Sequence, residues 1–171
     1  MEEKKVKIVL DADVLIHFSK AGLLSQLPNI LPEYEHIILD KVYEELGSIR
    51  HEVDNIMHFL ETFRLVKFDG TGEMGREYLR LYSTKGKGES ACLAYCRYTS
   101  DVIGSNNLRD TREYCEKHGI TYLTTLDFFY YAFMRGKMSQ PECQEAIDNL
   151  IGLGEKIPKT DITQYTPHCR L

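Results

Sequence analysis

A short apolar run, Lys7-Ile8-Val9-Leu10, stops abruptly at Asp11-Ala12-Asp13 and gives way to a second one, Val14-Leu15-Ile16. An apolar run without alternation reads as a strand buried on both faces, as in a parallel sheet. Ligands of open α/β sheets bind in the crevice beyond the carboxyl ends of the strands. Asp11 and Asp13 are therefore expected at the mouth of a site. Two like charges brought together there are costly without a cation to offset them, which points to a divalent metal. The same stretch also fits a plainer reading, in which Asp11 caps the helix that begins near Val14.

The rest of the chain repeats the alternation. Strands are expected at residues 36–39, 63–68, 101–105 and 120–123. Short helical pieces after Asp13 are broken at Gly22 and stopped by Pro28. Asp40 is placed to cap a helix over residues 41–46 that ends at Gly47. Ile49, Val53, Ile56, Met57 and Leu60 recur at helical spacing. Further helices are expected over residues 73–82, 89–99, 108–118 and 126–135, and over 141–153 with Pro141 in the first turn. The tail from Pro158 onward has no period and is expected to be loosely held. Strands alternating with helices predict an α/β fold, a three-layer α/β/α sandwich on a mostly parallel sheet.

The size, 171 residues, suits one domain with a real core. The net charge of −5 does not favour a nucleic-acid binder on bulk electrostatics, though it leaves room for local basic patches. Five cysteines with no Cys-x-x-Cys pair and no apolar leader suggest reduced thiols and a cytoplasmic protein. No apolar stretch approaches the ~20 residues of a membrane span.

Further acids share the position of Asp11 at strand-to-helix junctions: Glu44 and Glu45, Glu89, and Asp110 with Asn107 three residues before it. Singly, each suits a helix start for dipole reasons alone. Together, on one edge of one sheet, they suit Mg²⁺ or Mn²⁺, hard ions that prefer carboxylate oxygens and water. The chain shows no His/Cys ligand motif that would suit zinc.

Asp11-Ala12-Asp13-Val14-Leu15-Ile16, Val42-Tyr43-Glu44-Glu45-Leu46, Gly88-Glu89-Ser90-Ala91 and Ser105-Asn106-Asn107-Leu108-Arg109-Asp110 resemble, in that order, the motifs of PIN-domain ribonucleases. The likeness runs from the first strand to about residue 135, and residues 138–158 resemble the C-terminal helical extension of some prokaryotic members. The helix-opening Gly-Glu-Ser-Ala is the most specific part. The resemblance implies a PIN-like nuclease domain over residues 1–136, with a C-terminal helix and tail, residues 137–171, packed on it. It implies a metal-dependent endoribonuclease acting on single-stranded RNA, with Asp11, Glu45, Glu89 and Asp110 as catalytic, metal-holding acids and Asp13 and Asn107 in support. Glu45 fits the second motif better than Glu44. Asn107 stands where some members carry Asp, a departure that bears on a second metal position and not on the first. A toxin of a toxin–antitoxin pair, an antitoxin protein partner and a homodimer are further expectations of the resemblance.

Other residues invite weaker assignments. Lys85 and Lys87 flank a flexible glycine beside Glu89, and Arg109 and Arg112 follow Asn107; all four are candidates for substrate phosphate. The crowded aromatics Phe128, Phe129, Tyr130, Tyr131 and Phe133 suit a core or a dimer interface better than base stacking. His17 suits packing, and Cys92 and Cys96 suit buried thiols. Two rival functions remain. Asp-x-Asp after a strand also opens haloacid-dehalogenase-like phosphatases, with Asp11 as nucleophile and Lys85 or Lys87 as the required lysine. That scheme gives Glu89 no role and expects Gly-Asp where this chain has Gly104-Ser105. A catalytically degenerate PIN-fold binding module is the other.

Overall fold

The computed structural model describes residues 4–171, apart from the side chain of Leu108. Residues 1–3, the charged lead-in of the sequence, lie outside the described residues. In chain order the elements are β1 (Lys7–Leu10), α1 (Ala12–Lys20), α2 (Leu27–Ile30), β2 (Glu35–Leu39), α3 (Asp40–Tyr43), α4 (Arg50–Phe59) and β3 (Phe63–Val66). Then follow α5 (Gly72–Tyr82), α6 (Lys87–Thr99), β4 (Val102–Gly104), α7 (Leu108–His118), β5 (Tyr122–Leu123), α8 (Thr125–Met134) and α9 (Gln140–Gly152).

The strands stand in the order β3-β2-β1-β4-β5, and every neighbouring pair is parallel. β1 and β4 are buried along their whole length, as their unbroken apolar runs require. β3, at the edge, carries its exposed residues Arg64 and Leu65 there. Helices cover both faces, giving the three-layer α/β/α sandwich predicted by the alternation. On one side α6 lies against β1, β2 and β4, with α5, α3 and α7 beside it. Ala91, Cys92, Ala94 and Cys96 are buried on α6, and their small size lets the helix sit close to the sheet. α8 gathers α1, α2 and α9 around itself. Phe18 stacks on Phe129 at 5.0 Å and meets Phe128 edge-on at 5.9 Å, so the aromatics of α8 begin the core, as expected. Gly104 permits that packing: a Cβ there would stand 3.0 Å from Leu10 and 3.4 Å from the Phe128 ring.

The topology has one reversal. β2 and β3 extend the sheet to one side of β1, and β4 and β5 extend it to the other. The crevice at such a reversal, beyond the carboxyl ends of the strands, is where open α/β sheets bind ligands. Here it lies between β1 and β4, and the Asp11 amide closes it by donating to the Gly104 carbonyl at 2.8 Å.

Several boundaries differ from expectation. Pro28 does not stop a helix; it sits in the first turn of α2, where its missing N–H costs nothing. α1 begins at Ala12, so Asp13 lies in its first turn. α6 begins two residues before Glu89. Asp40 opens α3 as its first helical residue, and its carboxylate accepts from the Lys41 and Phe68 amides, both at 2.9 Å. β3 and β5 are shorter than their apolar runs. The tail is not loose. Ile162 is 1% exposed, the Gln144 side chain accepts from its amide at 3.2 Å, and the Tyr165 hydroxyl donates to the buried Asp127 carboxylate at 2.7 Å. Among the described residues no helix is long and apolar enough to cross a membrane, and the five cysteines are free thiols.

Candidate functional site

Four segments meet at the crevice: the end of β1, the end of α3, the start of α6 and the β4–α7 loop. Asp11 follows β1 and caps α1, its carboxylate accepting from the Ala12 amide at 2.8 Å. Its other oxygen accepts from the Ser105 hydroxyl at 3.3 Å. The plain capping role of Asp11 is therefore real, and it coexists with a crowd of neighbouring acids. Asp13 accepts from the Val14 amide at 2.7 Å and from the Asn106 amide at 2.9 Å. Glu89, on the first turn of α6, accepts from the Asn107 amide group at 3.2 Å and from the Thr111 hydroxyl at 3.0 Å. Glu45 accepts from the Gly88 amide at 3.1 Å.

Gly88 is the residue that makes this approach feasible. A Cβ there would lie 2.5 Å from a Glu45 carboxylate oxygen and 3.3 Å from the Val42 backbone. Glycine before Glu89 thus lets the start of α6 close against α3 and bring Glu45 and Glu89 to the same place.

The electrostatics record the crowding. Burial pushes Asp11 well above the usual carboxylate range, with the Asp13, Glu89 and Glu45 charges adding to it and the Ala12 amide opposing it. Burial also raises Asp13, to about 6, against the lowering effect of the Asn106 and Val14 amides. Both groups sit where positive charge is missing. The donors gathered here are carboxylate oxygens, with no histidine among them, a set suited to a hard cation. Among the described residues no three His, Cys, Asp or Glu side chains stand as a ready ligand set around one point. Asp11, Asp13 and Glu89 each have both oxygens hydrogen-bonded, to Ala12 and Ser105, to Val14 and Asn106, and to Asn107 and Thr111, and Glu45 has one on Gly88.

The remaining expected residues are placed as follows. Glu44 turns away from Glu45 to pair with Lys87, so the crevice receives Glu45 and not Glu44. Asp110 faces Lys85 at 3.9 Å and lines a cleft of about 190 Å³ with Arg80 and Lys117. Arg112 pairs with Glu116 at 2.7 Å, and Arg109 is exposed. His17 is buried and hydrogen-bonded to Thr125, a packed histidine as expected. Ser105, Asn106 and Thr111 contribute contacts that sequence reasoning did not assign. Thr111 lies four residues after Asn107 on one face of α7, a spacing that marks it as a partner of the same carboxylate. No protein-family model matches the chain, and no curated protein matches it.

Proposed function

We propose that this chain is a metal-dependent endoribonuclease of the PIN type, hydrolysing phosphodiester bonds of single-stranded RNA. The observation that carries the reading is that Asp11, buried at the reversal point of a parallel sheet, feels the charges of Asp13, Glu89 and Glu45, acids that with it come from three segments. Such a concentration of negative charge destabilises the fold unless it serves a cation. Mg²⁺ or Mn²⁺ held by these carboxylates would offset charge developing on a phosphodiester and lower the pKa of a water beside it. Asn107 and Thr111 hold the Glu89 carboxylate in orientation, and Ser105 holds that of Asp11. Of the four candidate cations, Lys85, Lys87 and Arg112 are paired with acids and Arg109 is exposed, so Arg109 would be the one to meet a polyanionic backbone. Asp110, turned to Lys85, is not needed for the reading. A toxin role with an antitoxin partner is a narrower version of the same proposal and rests on the order of motifs alone.

The phosphatase alternative loses support from the engagement of its two candidate lysines, Lys85 with Asp110 and Lys87 with Glu44. The test is cleavage of a labelled single-stranded RNA with Mg²⁺, Mn²⁺ or EDTA by wild type, Asp11→Asn and Glu89→Gln. Metal-dependent cutting lost in both variants is the expected result. Turnover of a phosphate monoester that needs Asp11, with no RNA cut, would replace this reading with the phosphatase.

A further inference from the structure

Asp13 belongs to a closed ring of contacts that leads away from the crevice. Its carboxylate accepts from the Asn106 amide at 2.9 Å, and the Asn106 side-chain oxygen accepts from the Thr125 amide at 3.3 Å. The Thr125 hydroxyl meets Nδ1 of His17 at 2.8 Å, and Nε2 of His17 meets Glu155 at 3.1 Å. His17 lies four residues after Asp13 on α1, on the same helix face, which closes the ring. Glu155 comes from the segment beyond α9 and is held from its other side by Lys20. Thr125 is fully buried and His17 is 4% exposed, so water does not compete for these bonds.

The partners fix the proton positions. Burial holds His17 below its usual range and so neutral near pH 7; a carboxylate only accepts, so Nε2 carries the hydrogen toward Glu155 and Nδ1 accepts from the Thr125 hydroxyl. The donors diverge from Thr125, its amide donating toward Asn106 and Asp13 and its hydroxyl toward His17 and Glu155, so Thr125 is clamped between α1 and the β4–α7 loop. In metal sites, partners of this kind orient the ligating groups and govern affinity.

We propose that Thr125, His17 and Glu155 are positioning residues for the acidic crevice, so that docking of the C-terminal segment sets its affinity for a divalent cation. This rests on the metal reading above. None of the three touches the cation; they act through Asn106 on Asp13.

The test is calorimetric titration of the full chain with Mn²⁺ alone, paired with thermal unfolding of the same samples in EDTA. Thr125→Val keeps the shape and removes the hydroxyl; Thr125→Ser restores it. The expected result is a roughly tenfold loss of Mn²⁺ affinity in Thr125→Val, the scale of such outer contacts, and recovery in Thr125→Ser. Glu155→Leu, which removes the partner of His17 outside the ring, is expected to lose affinity in the same direction and carries the test if Thr125→Val does not fold. Folded variants that bind Mn²⁺ as tightly as wild type would overturn the proposal and leave the metal reading standing. A wild type that binds no Mn²⁺ would bring down the metal reading, and this proposal with it.

Discussion

Replacing Asp13 by Asn should stabilise the metal-free protein near neutral pH. The folded state raises this carboxyl from 3.8 to about 6, with burial as the main cause. A raised carboxyl pKa means that the unfolded chain ionises first as pH rises, so the charge favours unfolding. The penalty is absent below about pH 4, grows between about pH 4 and 6, and is complete above that window. About two pH units at ~1.36 kcal/mol each give a penalty of ~3 kcal/mol at pH 7. Asn keeps one acceptor oxygen where Asp13 now serves two amides, Val14 and Asn106. Losing one such bond returns ~1–1.5 kcal/mol, leaving a net gain of ~1.5 kcal/mol. For a chain of this size that is a rise in Tm of roughly 3–6 °C. Differential scanning calorimetry in EDTA at pH 4 and pH 7 measures it. A variant less stable than wild type at pH 7, or one whose gain is as large at pH 4, would refute the reasoning.

Three further outcomes follow from the packing. Gly88→Ala should destabilise by at most ~2 kcal/mol, because ~1 kcal/mol of helix propensity offsets only part of an overpacking cost of ~1–3 kcal/mol; Mn²⁺ binding should weaken as well, since the new methyl displaces Glu45. Glu45→Gln should weaken Mn²⁺ binding while Glu44→Gln leaves it at the wild-type level, a comparison that the same titration reads. Tyr165→Phe should cost ~1.5–3 kcal/mol in urea unfolding, because the buried Asp127 carboxylate loses a hydroxyl donor.

The inner strands β1, β2 and β4 were legible because they are buried on both faces. β1 and the helix α7 with its glycine stop match the reading of the chain residue for residue, since an apolar run and a left-handed Gly119 are local signals. Pro28 shows where locality fails, because proline suits a helix start as well as a helix stop. The tail shows another limit. It has no period because it is held by single long-range bonds, from Tyr165 to Asp127 and from Ile162 to Gln144, that no periodicity encodes. In the crevice, position along the chain identified Asp11, Asp13 and Glu89, and the glycine before Glu89 acquires its reason only from the contact with Glu45. Direction was not legible. Glu44 and Glu45 are neighbours in sequence, yet only one reaches the crevice. Asp110 lies on the first turn of α7 as expected, yet faces Lys85.

The most direct test of the central claim is an electron paramagnetic resonance titration of Mn²⁺ into wild type and Asp11→Asn, with folding of both checked by circular dichroism. The account predicts that wild type removes the free-ion signal and that Asp11→Asn, equally folded, does not. Equal binding by the two proteins, or none by wild type, would contradict it.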